Sequence, residues 1–213
     1  MSSFYVKPFV KLLRSEDSRS DIAMANIEII IPISYSVKRR GELARATLAN
    51  LEKAIKLRGT ICPNALIVFG CCSHPFPGAE DDEGRLKAEI CRQKEVPFLD
   101  IGPIVNSITE MEGVKGVLAS RGMFPKSILV VTCELHSKSE RILGKMVFPD
   151  AKLFVSCNPH DLEVESDHLT EDQRSWSRWL YASVVRFVAF KAASWGIISL
   201  DTIRFRQHKQ GTI

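Results

Sequence analysis

The chain has 213 residues, of which 45% are hydrophobic and 25% charged, with a formal net charge of +4. That is ample material for one well-filled domain, and the charge is too mild to mark a polyanion partner. The basic clusters Lys38-Arg39-Arg40 and Arg204, Arg206, Lys209 read as solvated surface, so no nucleic acid is expected as a partner.

The first 26 residues are mixed in character. They carry a polar run, Arg14-Ser15-Glu16-Asp17-Ser18-Arg19-Ser20, and read as a short helix with a flexible lead-in. The start shows no uninterrupted apolar stretch before a small-residue cleavage site, so no secretory signal is expected. The six cysteines of so long a chain point to reduced thiols and a cytoplasmic protein.

From Ile27 onward, continuous apolar runs alternate with helical periodicity. Residues 27–33 form a buried-strand signal, after which Ala44, Leu48, Leu51 and Ile55 recur at helical spacing. A second strand, 65–69, ends at Gly70, and a loop rich in proline, glycine and acid leads to a helix around 84–94. Residues 97–101 make a short third strand. Ser107-Ile108-Thr109-Glu110 reads as a capping box opening a helix that ends near Gly122. The fourth strand, 128–132, precedes a short helix from Ser137 to about Met146, and the fifth strand spans 152–156.

A long final helix, about 171–195, holds Trp176, Trp179, Leu180, Val184, Phe187, Val188 and Phe190. Arg178, Arg186 and Lys191 interrupt it, so a helix packed on the sheet is expected rather than a membrane span. An interfacial or partner-binding helix is the alternative. The expected fold is a doubly wound, Rossmann-like α/β sheet of about five mainly parallel strands, with helices on both faces. Its parts are a lead-in (1–26), the α/β domain (27–160) and a helical extension packed on that domain (161–213).

Three cysteines are each followed three residues later by a histidine where a predicted strand runs out: Cys71–His74, Cys133–His136 and Cys157–His160. Ligands of open parallel sheets bind outside the carboxyl ends of the strands, so the pattern marks that edge. Three such units could converge on a soft metal, or each cysteine could simply close a buried strand.

The middle unit is the most specific. Thr132 offers a hydroxyl to the crevice, and His136, in the loop before a helix, could bind an anion or act as general acid or base. Ser107 and Thr109 open the preceding helix, and the carboxylate of Glu112 could face the crevice as a partner to His136. Gly70 permits close backbone approach to a ligand, or a tight turn. Dinucleotide, P-loop and nucleophile-elbow signatures are absent.

These segments together resemble the bacterial YdcF, SanA and ElyC proteins, which share a domain of unknown function. The first strand and Arg45 in the helix after it, Phe69-Gly70-Cys71-Cys72, Glu95-Val96-Pro97, Asn106-Ser107-Ile108-Thr109 and Val130-Val131-Thr132-Cys133-Glu134-Leu135-His136 occur in the family's order. Cysteines stand at 71 and 72 where the family has glycines. Ser139 replaces the family arginine, with Arg141 nearby as its substitute.

The resemblance implies a soluble, YdcF-type protein binding S-adenosylmethionine or a nucleotide. The site would be built from Gly70, Cys71, Ser107, Thr109, Thr132 and Arg141, with His136 and Glu112 in catalytic positions. A hydrolase or transferase acting on a phosphate-bearing substrate, a non-catalytic binding module and a Cys/His metal protein all stay open.

Overall fold

A computed structural model describes residues 6–38, 41–72 and 79–203 of the chain. Five strands form one wholly parallel sheet in the order β3-β2-β1-β4-β5. They are β1 (Ile29–Pro32), β2 (Leu66–Cys72), β3 (Phe98–Ile104), β4 (Ser127–Cys133) and β5 (Lys152–Asn158). The expected doubly wound α/β architecture is thus present. The central strands are buried on both faces, which is why they appear in the sequence as unbroken apolar runs rather than alternating ones. In β4 all seven residues are buried.

Alternate residues of each strand feed two separate cores. Ile29, Ile31, Val68, Val130 and Val155 point to a face covered by α1 (Lys7–Leu13), α5 (Ser107–Ser120), α6 (Glu134–Val147) and α7 (Trp176–Ser194). Ile30, Ile67, Phe69, Leu129 and Val131 point to the other, covered by α2 (Arg19–Met24), α3 (Arg45–Thr60) and α4 (Ala79–Gln93). No helix among the described residues is long and apolar enough to cross a membrane.

Several elements differ from expectation. The N-terminal segment forms two helices, and its polar run is docked on the free edge of β5. The Asp17 amide donates to the Val155 carbonyl at 2.9 Å, Val155 N–H donates to the Asp17 carboxylate at 2.7 Å, and Cys157 N–H to Glu16 at 2.9 Å. The run therefore satisfies edge groups that would otherwise be open to another strand.

β3 continues past Ile101 through Gly102 and Pro103. As an edge strand it tolerates a proline that a central strand would not. The capping box starts one residue earlier than expected, at Asn106, whose side chain accepts from Thr109 N–H at 3.0 Å while the Thr109 hydroxyl accepts from Asn106 N–H at 3.0 Å. α6 begins at Glu134, directly after the extended N-cap Cys133, so His136 lies in its first turn and not in a preceding loop.

Candidate functional site

The strand order reverses direction between β1 and β4, and chains leaving those two strands cover opposite faces of the sheet. The crevice at their carboxyl ends is the topological switch point, the usual ligand position in such folds. An unusual number of buried polar groups collects there.

One group centres on Lys87 of α4, which is 1% exposed. Its ammonium pairs with the fully buried Glu83 at 2.8 Å, donates to the Gly70 carbonyl at 2.7 Å and donates to the hydroxyl of Ser34, just beyond β1. The Ser34 hydroxyl lies 3.0 Å from the Gly70 carbonyl and 3.0 Å from Oε1 of Glu110, in the first turn of α5. Ser34 itself is half-buried at the rim. Burial pushes the Glu110 carboxyl up to about 7 against the pull of Lys87. Burial works against the Lys87 ammonium too, but Glu83 and Glu110 more than reverse it, so its pKa lies above the usual lysine value and the amine stays charged.

The second group surrounds His136, which is 3% exposed. Its ring is sandwiched between Tyr35, stacked at 5.1 Å, and Trp179 of α7 at 4.6 Å, and a ring nitrogen meets the Arg186 guanidinium. Burial and the neighbouring Arg186 charge hold the imidazole well below its ordinary pKa, so it is neutral. Trp179 Nε1 donates to Glu163 at 2.7 Å, and Leu135 N–H donates to the other carboxyl oxygen at 3.0 Å. Burial nonetheless raises Glu163 to about 8.

Between the groups lies Glu140 of α6, fully buried, whose carboxyl oxygens find no well-formed hydrogen bond among the described residues. Burial raises it, while the Arg186 charge and the Ser107 hydroxyl act to keep it ionised. Glu110 and Glu140 repel one another, so the two groups form one electrostatic unit.

The residues expected from the sequence are distributed unevenly over this arrangement. His136 and Thr132 are central, the Thr132 hydroxyl being 3.1 Å from that of Tyr35. Gly70 supplies its carbonyl to Lys87. Ser107 lies against Glu140, whereas Thr109 serves as the partner in the α5 cap. Cys71 is buried within β2. Arg141 is drawn to the β5 edge, where it pairs with Asp17 and reaches the Leu153 carbonyl, and it does not join the crevice group. Glu112 is half-buried in α5, and the acid that helix contributes to the crevice is Glu110.

Among the described residues the Cys-x-x-His units do not converge on one point. His74 lies outside the described residues, His160 accepts or donates at 2.8 Å with Glu134, and His136 is enclosed by rings. All six cysteines are free thiols, and no group of three or more histidine, cysteine or acidic side chains among the described residues is disposed to hold a metal.

Sequence reasoning missed Ser34, Glu83, Lys87, Glu110, Glu140, Glu163 and Arg186. Glu83 and Lys87 stand four residues apart, which in the sequence reads only as an ion pair on a helix surface; their burial beside Ala88 and Cys91 comes from the packing of α4. Comparison with family models, with curated proteins and with solved structures finds no match to this chain.

Proposed function

We propose that the chain is a YdcF-like small-molecule-binding protein whose switch-point crevice takes a positively charged adenosyl ligand, S-adenosylmethionine being the common molecule of that chemistry. The observation that carries this reading is the charge balance. Among the described residues, Glu83, Glu110, Glu140 and Glu163 face Lys87 and Arg186 as their cations, and all four carboxyls are nearly or fully buried. Buried carboxyls in excess cost stability unless a cation or donor completes them, and shifted carboxyls in a crevice mark functional sites. A sulfonium and an ammonium group would supply that charge, whereas a phosphate would add to the repulsion. The order of motifs shared with the YdcF-type proteins supports the same ligand.

The Ser34–Lys87 contact has the parts of a serine–lysine hydrolase, but such a base must be neutral. Lys87 is held charged by Glu83 and Glu110. His136 is enclosed by Tyr35, Trp179 and Arg186, with no open face for a substrate. Both features favour binding over acid–base catalysis.

The test is calorimetric titration with S-adenosylmethionine, S-adenosylhomocysteine and ATP. The sulfonium compound should bind tightest, and Glu110→Gln should weaken it by about 10–100-fold, the range of one charge-assisted contact. ATP binding more tightly than S-adenosylmethionine, or no binding of either adenosyl compound, overturns the reading.

A further inference from the structure

The outer face of α7 carries an uncovered apolar stripe. At 100° per residue, Tyr181, Val185, Val188, Ala192 and Trp195 fall within about 80° of arc. Tyr181 is 73% exposed, Val188 58% and Trp195 66%, with Val185 and Ile197 also exposed. Contiguous exposure of this kind marks a surface that meets another apolar phase.

The charges carried by the helix itself have one sign. The 19 residues of α7 contain Arg178, Arg186 and Lys191 and no acid; Arg186 turns inward to His136, and Arg178 pairs with Glu171 of the preceding turn at 3.3 Å. Arg178 and Lys191 flank the stripe on opposite sides, and Lys191 sits over the Trp195 ring at 4.9 Å. The neighbouring α1 repeats the pattern, with Lys7, Lys11 and the exposed Phe9 and Leu12 and no acid. Lys138 joins the two helices, donating to the Leu12 carbonyl at 3.1 Å and lying over the Phe187 ring.

We infer that this face docks on an anionic lipid surface, with α7 lying in the plane of the interface. A helix from Tyr181 to Trp195 would extend about 21 Å along the surface, with an aromatic residue near each end where such rings settle at headgroup level. Its cations would meet lipid phosphates, and the valines would enter the acyl boundary. A second copy of the chain is a poorer occupant, because two such faces would gather the cations of both against no carboxylate of α1 or α7.

The test is co-sedimentation of the full chain with phosphatidylcholine vesicles, with and without phosphatidylglycerol. Binding should require phosphatidylglycerol and should fall by at least about tenfold as salt rises from about 0.1 to about 0.5 M. Val185→Ser combined with Val188→Ser should weaken it by about tenfold or more and leave the melting temperature unchanged, since both side chains are exposed. Trp195 fluorescence should shift to the blue on binding. No pelleting with phosphatidylglycerol, wild-type binding by the double variant, or a dimer that the double variant converts to monomer would each overturn the inference. Adenosyl-ligand titration of the double variant should match wild type, so failure here is separable from failure of the crevice reading.

Discussion

Lys87→Met is the substitution that most directly probes the buried charge group. Methionine keeps the length and packing of the lysine stem and removes only the ammonium. The change deletes the 2.8 Å pair with Glu83, the 2.7 Å bond to the Gly70 carbonyl and the bond to Ser34. Glu83 would then be a buried carboxylate without its cation, and Glu110 would lose the charge that holds it down. Breaking a buried pair from one side costs about 3–5 kcal/mol.

The deficit should also depend on pH, with a sign fixed by Glu110. Its folded value is already raised to about 7 from 4.5, and without Lys87 it rises further. The folded variant therefore holds a proton that the unfolded chain releases, and its stability falls as pH increases through that range. Urea unfolding followed by circular dichroism should show a loss of about 1–2 kcal/mol near pH 5, where Glu110 is protonated, growing to about 3–5 kcal/mol near pH 8. Adding Glu83→Gln to Lys87→Met should return part of the loss, since the orphaned charge is gone. A deficit below about 1 kcal/mol at the higher pH, or one that does not change with pH, would refute the assignment of Lys87 as the compensating charge.

The wild-type chain should itself lose stability as pH rises above about 5, because two raised carboxyls outweigh one lowered histidine. Glu110 at about 7 and Glu163 at about 8 both sit above the ordinary carboxyl value of 4.5, so stability falls as pH rises toward 8. His136 acts oppositely: its folded value lies below 6.5, so stability is lost as pH drops beneath 6.5 and the unfolded imidazole takes up a proton. Between pH 6.5 and 8 the two carboxyls together imply a loss of about 2–3 kcal/mol, or about 5–10 °C in melting temperature for a chain of this size. Calorimetric melting that is flat or rising across that interval would contradict the burial of both acids. Gly70→Ala should cost about 1–3 kcal/mol by overpacking, because an added Cβ would lie 2.7 Å from Ile104 Cγ2 and 3.2 Å from the Gly102 carbonyl oxygen. Unchanged urea midpoints for that variant would show that β3 yields there.

Gly70 also illustrates what could and could not be read in advance. Its position near the end of a strand was legible, although β2 runs on through Cys72, and with it the edge of the sheet where polar groups gather. The reason for the glycine was not, because Ile104 lies 34 residues away and only the β2–β3 pairing brings it near. The strands were legible for a related reason: runs such as Ile128 to Val131 are apolar throughout and have no other stable destination. Lys87 and Glu83 look in the sequence like an ordinary solvated pair four residues apart. Their burial follows from the docking of α4 against β2 and β3, which brings them to Ser34 and Gly70. Likewise Glu110, explained locally as part of a helix start, finds its partner Ser34 across 76 residues. Local pattern located the crevice, and long-range packing decided which charges fill it.

The final helix is where the crevice and the surface meet. Its inner residues Trp179, Ser183 and Phe190 are buried, with Arg186 reaching His136 from the same side. Its outer residues Tyr181, Val185, Val188 and Trp195 are exposed. The helix is therefore apolar on two opposite sides, which is why its sequence resembles a membrane span interrupted by three cations. Helices apolar all round are normally enclosed on all sides, yet α6 and α1 cover only one side of this one. The inner side cannot rotate outward to relieve the other, because Trp179 is tied to Glu163 at 2.7 Å and packed at a tilt against His136. Any cover for the outer face must then come from beyond the described residues, and the cations flanking it select a cover that is negatively charged.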